Sequence, residues 1–231
     1  MRRIALALWT AALLSAALPA QVRNYQPVTL LKVERAANQI VIRKTMHATR
    51  ADGSRAEATV DSEGHYTVRT ITLAPARKTV VIHQDLHAVT TYYLSADRPI
   101  PASDDCTRRS PFWTKAGEET ILGYRTIRFV NESEGGITSE HFVAPALNCS
   151  SLRDTVAFPN GARITQVESV ILGEPDAGLF QIPEDYREMS PGAVETTRAS
   201  ALGVALPPSL AADLPRRDRA YRQSQRHKPA R

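Results

Sequence analysis

Residues 40–50 read IVIRKTMHATR, with Ile40, Ile42, Met46 and Ala48 on one parity and Arg43, Thr45, His47 and Thr49 on the other. A period of two is the pattern of a half-buried antiparallel strand, because successive side chains leave the backbone on opposite faces. Ala51-Asp52-Gly53 follows as a turn, since glycine accepts positive φ without a steric penalty. Outward from this run, Asp61-Ser62-Glu63-Gly64, Glu134-Gly135-Gly136 and Pro159-Asn160-Gly161 mark further turns. Runs rich in Val, Ile, Thr and Tyr lie at 55–60, 65–73, 78–83, 88–94, 119–130, 137–143, 152–158 and 162–172. Spacings of about 8–14 residues without long helical segments predict a meander and not βαβ units. The fold class is therefore mainly β, a curved antiparallel sheet or half-barrel with little helix. Residues 27–37 fit a short helix, with Leu30, Val33 and Ala37 on one face, and fit an edge strand equally well.

The ends of the 231-residue chain differ from its body. Met1-Arg2-Arg3, the apolar stretch IALALWTAALL at 4–14 and small residues up to Ala17 or Ala20 make a signal peptide with cleavage after one of those alanines. No other apolar run approaches the length of a membrane span. The formal net charge is +5, but residues 214–231 hold seven basic side chains against Asp218 alone, so the body from 21 to 213 is acidic. A basic-domain argument for nucleic-acid binding fails on that distribution. The predicted organisation is a signal peptide at 1–20, an antiparallel β domain at 21–190 and a flexible, Ala/Pro-rich and basic tail at 191–231. Pro207-Pro208 is read as a helix breaker, and the tail has too few apolar residues to offset its ordering entropy. The location implied is periplasmic or secreted, with no transmembrane span in the mature chain.

Several segments carry a resemblance. The Asp61–Gly64 turn, Thr120-Ile121-Leu122-Gly123-Tyr124, the stretch EHFVAPAL at 140–147, Gly173-Glu174-Pro175-Asp176, Leu179-Phe180 and Pro183 with Tyr186 together resemble uncharacterised secreted bacterial proteins of an acidobacterial type. Their strand content is similar to that of the lipoprotein-carrier (LolA-like) half-barrels, a likeness of fold only. The resemblance implies no activity.

Chemistry is sparse. His83 and His87 are four apart, but Val80-Val81-Ile82 and Ala88-Val89-Thr90 around them say strand, so both read as turn residues and not as metal ligands. His47, His65 and His141 lie in strand-like runs without motif context. Asp104-Asp105 and Glu118-Glu119 are adjacent pairs, read as loop decoration, because neighbours on a strand diverge whereas acid–base chemistry needs convergence. No G-x-S-x-G, S-x-x-K, glycine-rich phosphate loop or H-E-x-x-H occurs, so no catalytic, cofactor or metal residue is assigned. Two cysteines in an exported chain predict a disulfide between Cys106, in a long irregular loop at 95–117, and Cys149.

The functional expectation is non-catalytic binding on the concave face of the sheet. The ligand would be hydrophobic or envelope-derived, or a protein partner, with weak contact to an anionic surface through the basic tail. The alternatives are a hydrolytic enzyme with a site on the 95–117 loop and a purely structural envelope component. Continuous apolar lining favours binding, and a cluster of His or carboxylates inside the groove favours catalysis.

Overall fold

The computed structural model describes residues 25–95, 106, 112–133 and 135–229; the signal-peptide reading of 1–20 and the pair Asp104-Asp105 lie outside them. Twelve strands make one sheet. The first half is a meander of β1 (Val28–Ala36), β2 (Val41–Thr49), β3 (Arg55–Val60), β4 (Tyr66–Leu73), β5 (Lys78–His83) and β6 (Ala88–Tyr93). The second half is β7 (Thr114–Ile121), β8 (Tyr124–Ser133), β9 (Ile137–Ala144), β10 (Ser150–Phe158) and β11 (Gly161–Leu172), with the two-residue β12 (Arg187–Glu188) after it. The order across the sheet is β12-β6-β5-β4-β3-β2-β1-β11-β10-β9-β8-β7. The two meanders are thus joined back to back along β1 and β11, and among the described residues only the β12–β6 pair is parallel.

This is the mainly β, curved-sheet fold class that the alternation in 40–50 predicts. Three details differ. Residues 28–36 are neither helix nor edge: β1 is an interior strand, paired on both sides. The run at 119–130 is two strands, divided by a tight turn in which Leu122 (φ 50°) and Gly123 (φ 83°) are both left-handed. The end of the chain is helical, with α1 (Pro191–Ala201) and α2 (Pro208–Gln225). Pro208 starts α2 instead of breaking it, because the first helical position needs no N–H donor and suits proline's fixed φ. The helix is then held by side chains. Asp213 pairs with Arg216 and Arg217, Asp218 accepts from Gly192 N at 2.8 Å, and Gln225 Nε2 donates to Thr91 O at 2.6 Å.

Registers fix which side chains share a face. Across β2–β6, one face carries Ala48, Ala56, Ile71 and Val80 in one row and Met46, Ala58, Arg69, Ile82 and Val89 in the next. The segment after β11 folds over this face and buries Leu179 and Phe180 on it. Arg69 pins that strap, donating to Gly178 O at 2.8 Å and Gln181 O at 2.9 Å. The strap satisfies much of the apolar demand of the first meander, and the opposite face of β2–β4 is left polar.

Candidate functional site

The polar face is built from two rows of cross-strand neighbours. Leu30, His47, Glu57 and Thr70 form one, running from β1 to β4. Glu34, Thr165, Asp154, His141 and Phe129 form the other, running from β1 through β11, β10 and β9 to β8. Lys32 lies between them on β1, two residues from each row.

The sheet curls around these rows. Thr70 and Thr72 on β4 line the same pocket of about 350 Å³ as Asn148, Cys149 and Ser150 at the start of β10. Five strand spacings separate β4 from β10, roughly 24 Å across a flat sheet, so the pocket exists only because this face is concave. Its far wall is a strained turn. Asn148 and Cys149 are both left-handed, at φ 53° and 57°. Two ties hold them there. The Asn148 side chain accepts from Gln26 N at 2.8 Å and donates to Gln26 O at 2.7 Å, and Cys149 is joined to Cys106 in the predicted disulfide. Cys106, Ile127, Phe129 and Val143 form a small apolar cluster with Trp113 beside it. The indole meets His141 edge-on, with ring centroids 4.2 Å apart.

The groove's electrostatics centre on Lys32. Burial lowers its pKa, and the carboxylates of Asp154 and Glu57 act against that shift. Its ammonium forms no hydrogen bond or ion pair with the described residues. Burial, then the Lys32 charge, depresses His47 from 6.5 to about 4. Glu57 is 3.8 Å from His47 Nδ1 but more than half exposed, and solvent screens it. Asp154 is driven up by burial, yet it stays below the usual carboxylate range because His141 and Ser151 both hydrogen-bond it. His141 Nδ1 and Ser151 Oγ meet the same oxygen, Asp154 Oδ1. The carboxylate therefore stands between His141 and Ser151, and among the described residues no histidine nitrogen meets the Ser151 hydroxyl.

The sequence expectation puts binding on the concave face but assigns no residue to it. His47 and His141 read as strand histidines without motif context, and the structure puts both on this polar face. The only signal available was parity, since His47 and Thr49 share the polar side of the run 40–50. From His47 the groups on β10 and β11 are more than a hundred residues distant, so spacing carries no trace of them, and the His141–Asp154 pair, 13 residues apart, matches no motif. His83 and His87 flank the short 3-10 turn Gln84–Leu86 as expected of turn residues, though His83 is partly buried and bonds Thr90 at 3.4 Å. Glu118 and Glu119 are on strand β7 and not on a loop. They diverge, Glu118 to Arg125 and Lys115 and Glu119 to Arg153.

No family model and no curated protein matches the chain, so the resemblance to acidobacterial-type secreted proteins stands without a family behind it. Solved structures show a likeness of sheet architecture. An uncharacterised conserved protein from Thermus thermophilus is 11% identical with a TM-score of 0.45, over 71% of this chain and 90% of that one. A chain of the MucA/MucB complex of Pseudomonas aeruginosa is 11% identical with a TM-score of 0.46, over 74% of this chain and 60% of that one. LprF from Mycobacterium bovis is 14% identical with a TM-score of 0.32, over 69% and 90%. The chain thus spans less than two thirds of the MucA/MucB chain.

Proposed function

We propose that the concave groove is a non-catalytic binding site for an envelope-derived ligand or a protein partner, held through an anionic group by Lys32. The observation that carries this reading is the Lys32 ammonium itself, a half-buried cation at the centre of a curved polar face, without a direct partner among the described residues. Asp154 is already occupied by His141 and Ser151, which leaves Lys32 as the group with unmet demand. Of the alternatives expected from the sequence, a hydrophobic ligand suits this face less than an envelope-derived ligand with an anionic group or a protein partner, because apolar lining is limited to Leu30, Ala48, Ala56 and the disulfide side. The disulfide supports an extracytoplasmic setting.

Trp113 is the only tryptophan beyond the proposed signal peptide and stands at the groove, so its fluorescence reports occupancy. Titration of the chain from Gln21 onward with dodecyl phosphate, below its micellar concentration, should change the emission saturably. Lys32→Met should weaken the response by roughly ten- to a hundredfold, the worth of a charge-assisted hydrogen bond. Arg125→Gln, on the β7–β8 hairpin, should leave it unchanged. An equal response from wild type and Lys32→Met would overturn the assignment.

One observation favours a second reading, hydrolysis. The groove does contain converging ionisable groups, and the lowered pKa of Lys32 raises the share of neutral amine available for proton abstraction above that of an exposed lysine. Turnover of p-nitrophenyl esters that disappears with Lys32→Met and also with Asp154→Asn would select that reading over binding alone.

A further inference from the structure

Helix α2 has an inner and an outer side, and they differ in chemistry. Asp218, Tyr221 and Gln225, spaced i, i+3 and i+7, form the inner stripe. Asp218 holds Gly192 N, Tyr221 OH donates to Glu188 at 3.2 Å and stacks edge-on against Tyr92, and Gln225 holds Thr91 O. The stripe beside it repeats the same spacing with Arg219, Arg222 and Arg226. These three arginines line a shallow surface depression together with Gln223. Unlike Arg216 and Arg217, which Asp213 neutralises, none of the three has a carboxylate within ion-pair distance among the described residues. Past Arg226, a cleft of about 550 Å³ opens between the end of the helix and the sheet, lined by Tyr93, Leu94 and Pro229 and by the basic residues Arg77, Lys78 and His227. The Lys228 ammonium lies 5.9 Å from the Tyr93 ring centre.

We infer that this outer face of α2 docks on the surface of an anionic phospholipid bilayer, with Arg219, Arg222 and Arg226 on the headgroup phosphates and the Tyr93–Leu94 cleft at the interfacial level. Three observations support it. Among the described residues the three guanidinium groups have no carboxylate partner. They are presented in a fixed row, because the inner stripe anchors the helix. The row ends at Arg226, next in sequence to His227 of a slot that joins Tyr93 and Leu94 to the cations Arg77 and Lys78, and tyrosine favours the membrane–water boundary. A row of guanidinium groups near anionic lipid attracts it within about a Debye length, roughly 8 Å at physiological salt. The inference is independent of the groove, which lies on a different part of the sheet.

The test is flotation of the chain from Gln21 onward with vesicles of phosphatidylcholine containing phosphatidylglycerol, against vesicles of phosphatidylcholine alone. Wild type should partition onto the anionic vesicles at low salt and come off at high salt. The triple variant Arg219→Gln, Arg222→Gln, Arg226→Gln should lose on the order of a hundredfold in partition coefficient, at about fivefold per arginine. A control triple, Arg43→Gln, Arg125→Gln and Arg163→Gln, removes the same charge from exposed positions elsewhere and should partition as wild type does. Lys32→Met should also partition normally, which separates this surface from the groove. Thermal melts of both triples check that the fold persists. Three results would each overturn the inference: undiminished binding by the α2 triple, equal loss in the control triple, or equal wild-type binding to uncharged vesicles.

Discussion

At the scale of single residues, the groove's unusual members are those whose ionisation is set by the fold. His47 is neutral where an exposed histidine would begin to protonate, because burial and the Lys32 charge both disfavour the imidazolium, which brings its pKa down from 6.5 to about 4. Between these values the unfolded chain binds the proton and the folded chain does not. Stability therefore rises with pH across that interval and falls as the solution is acidified through it. The full effect is at most about 3 kcal/mol, from the roughly 1.4 kcal/mol that each pKa unit represents. Urea unfolding at pH 4, 5.5 and 7 should show the slope, and His47→Gln should reduce it, leaving the part due to His83, whose pKa burial also lowers. An undiminished slope in His47→Gln would place its origin wholly in other groups. Asp154 acts in the same direction but at lower pH. Its lowered pKa means that its contribution is present at neutral pH and is lost only as pH falls through its folded-state value, below the ordinary carboxylate range.

At the scale of elements, the turns are where local sequence and backbone agree or conflict. The β7–β8 turn places Leu122 in the left-handed region beside Gly123, although nearly half of the Leu122 surface is exposed and little packing rewards it. Two-residue turns with positive φ at both positions favour Asn-Gly, because a branched aliphatic side chain is strained there. Leu122→Asn should raise stability by about 1 kcal/mol, read as a higher urea midpoint at constant m-value. An unchanged or lower midpoint would mean that Leu122 packs more usefully than its exposure indicates. The same turn shows how much was legible in the sequence. Alternation and glycine-bearing turns locate most of the strands, since those signals are local. Leu-Gly is a weak turn signal, so 119–130 reads as one run. The interior position of β1 is invisible for a different reason, because its neighbour β11 begins more than a hundred residues later. The α2 helix is missed because its stability comes from Asp218, Tyr221 and Gln225 reaching distant backbone and side-chain groups, not from an apolar stripe. The disulfide was readable because two cysteines allow one pairing.

At the scale of the whole molecule, the sheet has two edges, and the chain treats them differently. On one side, β12 and α2 blunt the edge of β6. Glu188 accepts from Thr91 N at 2.7 Å, and Gln225 donates to the same residue's carbonyl. An edge closed by side chains is less able to recruit a foreign strand. The other edge, β7, is exposed along most of its length, but a register break near Lys115 and Gly117 and charges at Lys115, Glu118 and Glu119 interrupt it. The chain leaves the sheet at the first edge and re-enters at the second. Between them Cys106 is fixed against Ile127, Phe129 and Val143 by its bond to Cys149. The bond thus ties the crossing to the turn that walls the groove, and it closes a span of 43 residues. Chain-entropy reasoning gives about 4 kcal/mol for a loop of that size. The double variant Cys106→Ser, Cys149→Ser should therefore lower the unfolding free energy by about that amount. It should also blunt the Trp113 response to dodecyl phosphate, because the far wall of the pocket loses one of its two ties. Alkylation followed by intact-mass measurement checks the premise, since two thiols should become reactive only after reduction. If the variant were as stable as wild type and gave the same Trp113 titration, the groove wall would be held by the Asn148–Gln26 pair alone, and the disulfide would have no part in shaping the site.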